Sequence, residues 1–300
     1  MRQHSTVTIP SNYNYIGVFL TLGCNLSCSY CINHLSGLKK NRKLLGAKEW
    51  ASVINRLDLP TDLPVTIQGG EPSIHPHFFD ILDEIKESIK IDLLTNLQFD
   101  VHKFSERFSP ARFLRESPYA SIRVSYHPET MELEPLFTKA HHLKEKGFPI
   151  AVYSIEIEKY ESEISRAKKI ALELGVPFKL KSLLGEFENE LHGQMKYPGA
   201  VASKVLKSCE CKTSELLISP EGEVFRCHHD LYNKKFPTGD LTHENFQIQD
   251  KFKECHFYGN CNPCDIKVKN NRFQRHGHTS VTIKNIRDRN TEQAAESQWK

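Results

Sequence analysis

Tyr15-Ile16-Gly17-Val18-Phe19-Leu20-Thr21-Leu22-Gly23-Cys24-Asn25-Leu26-Ser27-Cys28-Ser29-Tyr30-Cys31 decides how the rest of the chain is read. Its first eight residues are an apolar, strand-like run. The remainder is a loop with three thiols, three residues between the first pair and two between the second. Three thiolates cannot close the four-ligand shell that zinc or a cubane cluster needs. The spacing therefore predicts a metal site with one open position at the end of a strand. Inert buried thiols or half a zinc site are the bland alternatives, and so tight a spacing argues against inert thiols.

Five further strands follow this run. Residues 64–68 form a short buried strand ending in Gly69-Gly70-Glu71-Pro72, and residues 91–96, 121–126, 149–156 and 176–181 supply the others. Helical patterns separate them at 47–57, 76–90, 132–146 and 160–174, with a short helix and an irregular link over 100–116. Trp50, Val53, Ile54 and Leu57, and then Phe78, Phe79, Ile81, Leu82, Ile85 and Ile89, fall at core spacing. Strands alternating with helices imply parallel strands joined by right-handed crossovers. Six units are too few for an eight-stranded barrel, so the expected fold is α/β, a partial (β/α)6 TIM-like barrel. The loops at the C-terminal ends of its strands are where such folds carry their sites.

The pattern changes after about residue 185. Residues 185–190 read as polar linker and 198–207 as a short helix. Residues 216–226 read as a β-hairpin turning at Pro220-Glu221-Gly222. The tail from about 285 is polar and is expected to fray. The expected organisation is an N-terminal extension (1–14), the barrel (15–185), a small cysteine-rich hairpin domain (186–270) and a polar tail (271–300).

The chain has 300 residues, a formal charge of +3 and 39% hydrophobic residues. No apolar run of about 18 residues exists, so no membrane span is expected. The N-terminus lacks an apolar signal core, which points to a cytoplasmic protein. The near-balanced charge gives no ground for a nucleic-acid partner. The basic run at 39–43 is read as a solvated loop, and that at 267–275 gives some support to the competing class, a non-catalytic iron–sulfur or zinc protein such as a nucleic-acid-binding regulator. Nine cysteines fall in two groups, the first loop and Cys209, Cys211, Cys227, Cys255, Cys261 and Cys264. An odd total without a signal peptide argues against disulfides and for metal.

CxxxCxxC at Cys24, Cys28 and Cys31, with the aromatic Tyr30 before the third cysteine, resembles the signature of the radical S-adenosylmethionine (SAM) superfamily. Gly69-Gly70-Glu71-Pro72 resembles that family's GGE motif. The resemblance implies a 4Fe–4S cluster on the three cysteines, with SAM chelating the fourth iron. It implies that Tyr30, Gly69, Gly70, Glu71, Asn96 and Ser125 line the SAM site, with Glu71 near the methionine amino group and Tyr30 near the adenine. Thr95-Asn96-Leu97 departs from the family's Thr-Asn-Gly. A low-potential electron donor, such as flavodoxin or ferredoxin, is implied as a partner.

Cys209 is followed by twelve residues, Gly222, four residues and Cys227. This resembles the opening of the SPASM/twitch extension of radical SAM enzymes, and Cys261-Asn262-Pro263-Cys264 adds a CxxC pair. The resemblance implies an auxiliary 4Fe–4S cluster on Cys209, Cys227, Cys261 and Cys264, with Cys211 an alternative to Cys209. Cys255 is left over, as an inert thiol, a substitute ligand or a catalytic hydrogen-atom donor. By spacing alone this group also fits a zinc ribbon. His75 and His77 read as helix-start residues, and His228 and His229 as exposed residues leaving the hairpin. Only 14 residues precede the first strand, too few for a leader-peptide-binding domain. The expected substrate is therefore a small polar molecule, a sugar or aminocyclitol to be oxidised or epimerised, with Lys181, Glu156 and His127 as candidate contacts. Peptide maturation is the alternative.

Overall fold

The computed structural model describes residues 5–31, 43–60, 62–183, 185–192, 207–258 and 281–288. In chain order the barrel portion contains β1 (Val7–Thr8), β2 (Tyr15–Thr21), β3 (Leu57–Asp58), β4 (Val65–Gly69), β5 (Ile91–Thr95), β6 (Ile122–Tyr126), β7 (Ile150–Glu156) and β8 (Phe178–Ser182). β1 and β3 make a small parallel pair. The six expected strands β2, β4, β5, β6, β7 and β8 lie side by side in that order, all parallel, in a sheet that does not close.

Two faces of this sheet differ in chemistry because the strands alternate. Ile16, Val18, Leu20, Val65, Ile67, Leu93, Ile122, Val124, Ile150 and Val152 point to the helix layer and merge with Trp50, Ile81, Leu136 and Ala167 in one core. Each large aliphatic side chain buried there contributes roughly 1.5–3 kcal/mol. The intervening residues Tyr15, Gln68, Asp92, Arg123, Tyr153 and Lys181 face the other, concave side. There Gln68 Nε2 donates to the Tyr15 hydroxyl at 2.6 Å, and the Lys181 ammonium lies 4.7 Å from the Tyr153 ring centre.

The helices are shorter than the apolar pattern suggests. Helices cover Ala47–Ile54, Phe78–Glu84, Val101–Arg107, Leu133–Glu145 and Glu161–Glu173. The expected 76–90 helix is confined to Phe78–Glu84, preceded by a 3-10 turn at Pro72–Ile74, and Pro110 breaks the 100–116 segment into a helix and a 3-10 turn.

The chain continues through β9 (Gly185–Phe187), β10 (Glu190–His192), β11 (Lys207–Thr213), β12 (Glu215–Ile218), β13 (Glu223–Phe225), β14 (Gly239–Asp240), β15 (Lys253–Tyr258) and β16 (Val281–Asp288). The expected hairpin is β12–β13, with Gly222 at φ +93° in its turn. It does not stand apart from the barrel. β12 runs parallel beside β2, and the full sheet has the order β14-β13-β12-β2-β4-β5-β6-β7-β8.

Two expectations fail. Residues 185–190 are not a linker but carry the hairpin β9–β10, whose two-residue turn places Glu188 and Asn189 at φ +50° and +65°. Residues 285–288, read as the start of a frayed tail, belong to β16, which pairs along β11 in a three-stranded sheet ordered β15-β11-β16; the rest of that tail lies outside the described residues. The alternating Val281, Ile283 and the bulge at Asn285 (φ +54°) give β16 a strand's pattern despite its charge. The expected 198–207 helix lies outside the described residues, apart from Lys207, which belongs to β11.

Asp92 is fully buried on the concave side. It pairs with Arg115 at 3.0 Å and Arg123 at 3.3 Å, and Arg115 also reaches Asp62 at 3.3 Å. Removing the central carboxylate strands two buried guanidinium groups. Asp92→Ala is expected to lower stability by about 3–5 kcal/mol in urea unfolding, well beyond the effect of a surface carboxylate.

Candidate active site

The cysteine loop leaves β2 at Thr21 and is held from three sides. Its own start is fixed by Gly23 N donating to Thr21 Oγ1 at 3.0 Å. The second hold is the segment after β4. Gly70 N donates to Thr21 O and Glu71 N to Gly23 O, both at 2.9 Å. These bonds need the two backbones in near contact. A Cβ on Gly69 would lie 2.0 Å from Thr21 O, and one on Gly70 would lie 2.0 Å from Gly23 O. Only glycine fits at either place.

Glu71 completes this clasp. Its carboxylate accepts Ser73 N at 3.0 Å, Thr95 Oγ1 at 2.7 Å and Asn96 N at 2.6 Å, and the residue is 1% exposed. Burial raises its pKa and these hydrogen bonds oppose the rise. The side chain thus ties the end of β4 to the end of β5; its oxygens are occupied within the protein. Asn96 then reaches the cysteine loop, with Nδ2 2.7 Å from Asn25 Oδ1 and 4.0 Å from Cys24 Sγ. Leu97, which stands where the family resemblance expects glycine, takes φ +60° and is fully buried. The backbone bend is kept without the glycine, at a local conformational cost of order 1 kcal/mol.

The third hold is the loop after β6. Thr130 Oγ1 lies 3.3 Å from Cys28 Sγ, Glu129 accepts from Ser29 N at 2.7 Å, and His127 Nδ1 is 3.1 Å from the Tyr30 hydroxyl. Tyr30 also meets Phe187 of β9 edge to face at 6.0 Å, so the hairpin missed in the sequence closes one wall of the site. Burial lowers the His127 pKa to about 4 and raises those of Tyr30, Cys24 and Cys28. The imidazole is therefore neutral at neutral pH and works as a hydrogen-bond partner.

Cys24 and Cys31 are half-buried and Cys28 is buried, all as free thiols. Three soft sulfur donors on one loop are a donor set that an iron–sulfur core takes, with one position left for another ligand. Ser125 lies half-buried on β6, on the concave side of the sheet with Arg123.

Residues 18–125 match the profile of the radical SAM superfamily. That match bears out the resemblance read from the cysteine loop. Mycofactocin maturase MftC of Mycobacterium tuberculosis (strain ATCC 25618 / H37Rv) is 33% identical over 117 residues, covering 38% of this chain and 27% of that protein. MftC of Mycolicibacterium smegmatis is 21% identical over 276 aligned residues, covering 76% of this chain and 67% of the relative. The crystal structure of Streptococcus suis SuiB bound to precursor peptide SuiA superposes with a TM-score of 0.55 at 15% identity, over 79% of this chain and 64% of SuiB. The chain spans about a quarter of the first curated relatives it matches. The proteins that this chain resembles, mycofactocin maturase among them, are enzymes.

The structure also gathers much of the second cysteine group. Cys209 on β11 is the register partner of Cys255 on β15. The thiols of Cys209 and Cys211 hydrogen-bond to the Cys255 sulfur and draw its pKa down. Cys211, Cys227 and Cys255 line one cavity with Arg226, His229 and Asp230. Cys261 and Cys264 lie outside the described residues. His228 and His229 are not exposed exit residues. They open the helix His228–Asn233, where His228 stacks on Tyr15 with ring centres 6.2 Å apart and lies 3.5 Å from Glu215. His75 is buried, bonded to Leu45 O and His77 N, and has a structural role.

Glu129, Thr130 and the concave-face pair Asp92–Arg123 were not singled out in the sequence. The alternation Ile91-Asp92-Leu93 and Ile122-Arg123-Val124-Ser125 was the available signal for the pair. For Glu129 and Thr130 there was none, because their contacts with Cys28 and Ser29 bridge about a hundred residues of chain.

Gly70→Ala is expected to displace the cysteine loop and reduce iron bound there to background. Colorimetric iron and sulfide assay after anaerobic reconstitution checks this, with Gly46→Ala, at an uncrowded position, retaining wild-type iron. His127 gives a pH signature. Its folded pKa is depressed below the ordinary 6.5, so its contribution is complete above that value and is lost as pH falls toward about 4. Between those limits the wild type is expected to lose roughly 2–3 kcal/mol more than His127→Asn, read by urea unfolding at each pH.

Proposed function

We infer that this enzyme takes a hydrogen atom from a peptide substrate. The reading rests chiefly on the similarity to mycofactocin maturase, which runs over 76% of the chain and so extends past the barrel toward the C-terminal cysteines. The shared fold of SuiB, whose structure holds a precursor peptide, is compatible with it. The small polar substrate expected from the sequence has weaker support.

A 4Fe–4S cluster held by Cys24, Cys28 and Cys31 would supply an electron and an open coordination position for SAM, and with SAM bound would supply the radical chemistry that removes a substrate hydrogen atom. The chain's part is positional. Gly69, Gly70 and Glu71 fix the loop against β5. Asn96 and Ser125 stand at successive strand ends where SAM would lie. Tyr30, held by His127, packs beside that space. The polar concave face, with Gln68, Arg123 and Lys181, offers donors to peptide carbonyl and carboxylate groups. The electron comes from a low-potential donor such as flavodoxin or ferredoxin, and an auxiliary 4Fe–4S cluster on the C-terminal cysteines would accept or relay an electron.

Reconstituted protein with dithionite and SAM is expected to form 5′-deoxyadenosine, and Cys28→Ala to form none. A peptide library is expected to raise that rate about tenfold or more and to yield peptides lacking hydrogen atoms by mass spectrometry. Stimulation by aminocyclitols or sugars, and not by peptides, would overturn the peptide reading. No 5′-deoxyadenosine under any condition would overturn the reaction.

A further inference from the structure

The spacing of the C-terminal cysteines leaves Cys255 without a role, yet the fold puts it at the centre of the group. β11 carries Cys209 and Cys211 two residues apart, so both thiols leave the same face of the strand. β15 pairs antiparallel with β11, and Cys255 stands directly across from Cys209. Residues opposite each other in such a pair share a face, which brings three thiols together. Cys255 also packs against Cys209 in one small apolar cluster with Tyr258. A fourth thiol comes from outside this sheet. Cys227 follows β13 and caps the helix His228–Asn233, and its sulfur lines one cavity with Cys211 and Cys255.

A second observation says what the cavity is built to hold. Arg226 is 9% exposed. Its Nε lies 2.5 Å from Asp230 Oδ2, its Nη1 2.5 Å from Glu254 O, and the same Nη1 3.6 Å from Cys211 Sγ. A buried guanidinium beside sulfur stabilises negative charge there. Four thiolates around an iron–sulfur core carry such charge, whereas four neutral thiols do not.

We propose that Cys209, Cys211, Cys227 and Cys255 together hold the auxiliary iron–sulfur cluster, with Cys255 a ligand rather than a hydrogen-atom donor. Four ligands close the shell, so this cluster has no open position and binds no SAM. Cys261 and Cys264 are then not required for it. The proposal rests on the reading that an auxiliary cluster exists, and it is independent of the substrate.

The test begins with protein in which Cys24, Cys28 and Cys31 are all alanine, so that any remaining cluster is C-terminal. After anaerobic reconstitution this protein is expected to hold about four iron and about four sulfide per chain. Adding Cys209→Ala with Cys255→Ala is expected to bring iron to background, whereas adding Cys261→Ala with Cys264→Ala leaves it near four. Retained iron in the first pair, or loss in the second, overturns the ligand set. Zinc in place of iron, or no metal in the starting protein, overturns the cluster itself.

Iodoacetamide labelling of unmutated protein keeps the test independent of folding in the variants. Cys209, Cys211, Cys227 and Cys255 are expected to react about tenfold or more slowly in cluster-loaded than in chelator-stripped protein, with Cys261 and Cys264 unchanged. Equal labelling of Cys255 in the two states overturns the proposal. Failure of the radical reaction would instead appear as absent 5′-deoxyadenosine in wild type, with these metal and labelling results unaffected.

Discussion

Two peptide backbones in near contact hold the site together. Gly69 and Gly70 lie so close to the carbonyls of Thr21 and Gly23 that no β-carbon fits between them. The two hydrogen bonds formed there set where the cysteine loop starts. Glu71 extends the restraint to β5 through Ser73, Thr95 and Asn96. A carboxylate that the family resemblance places near SAM thus acts here by fixing the geometry around it. Its three hydrogen bonds also make its burial tolerable, since an isolated buried carboxylate is strongly disfavoured.

The barrel strands serve two opposite purposes through one periodicity. Their outward residues build the apolar core against the helices, and their inward residues give a polar concave face. Charge on that face is admitted only with partners, as the Asp92, Arg115 and Arg123 group shows. β12 extends the same sheet beside β2, and the helix after Cys227 packs His228 and Tyr232 against Tyr15 and Phe19. Cys227 is therefore physically continuous with the barrel. A disturbance at Cys227 would reach the concave face through one turn of helix.

Read by itself, the sequence determined the order of strands and helices, the parallel sheet, and the place of the cysteine loop and of the Gly69-Gly70-Glu71 segment at strand ends. These are local signals. Alternating apolar residues fix strand faces, and Cys24, Cys28 and Cys31 fall within eight residues. That Gly69 and Gly70 clasp the cysteine loop came from the structure. The left-handed turn at Glu188-Asn189 escaped notice because neither residue is the usual glycine, and β16 escaped because its charges masked its alternation. Only the tertiary structure decided which side of Glu71 faces inward, that Glu129, Thr130 and His127 brace the cysteine loop, and that Cys255 meets Cys209 and Cys211. Those facts depend on strand register and on loops brought together across long stretches of chain. Spacing along a sequence records how far apart two cysteines are on the chain, and pairing in a sheet decides whether their sulfurs touch.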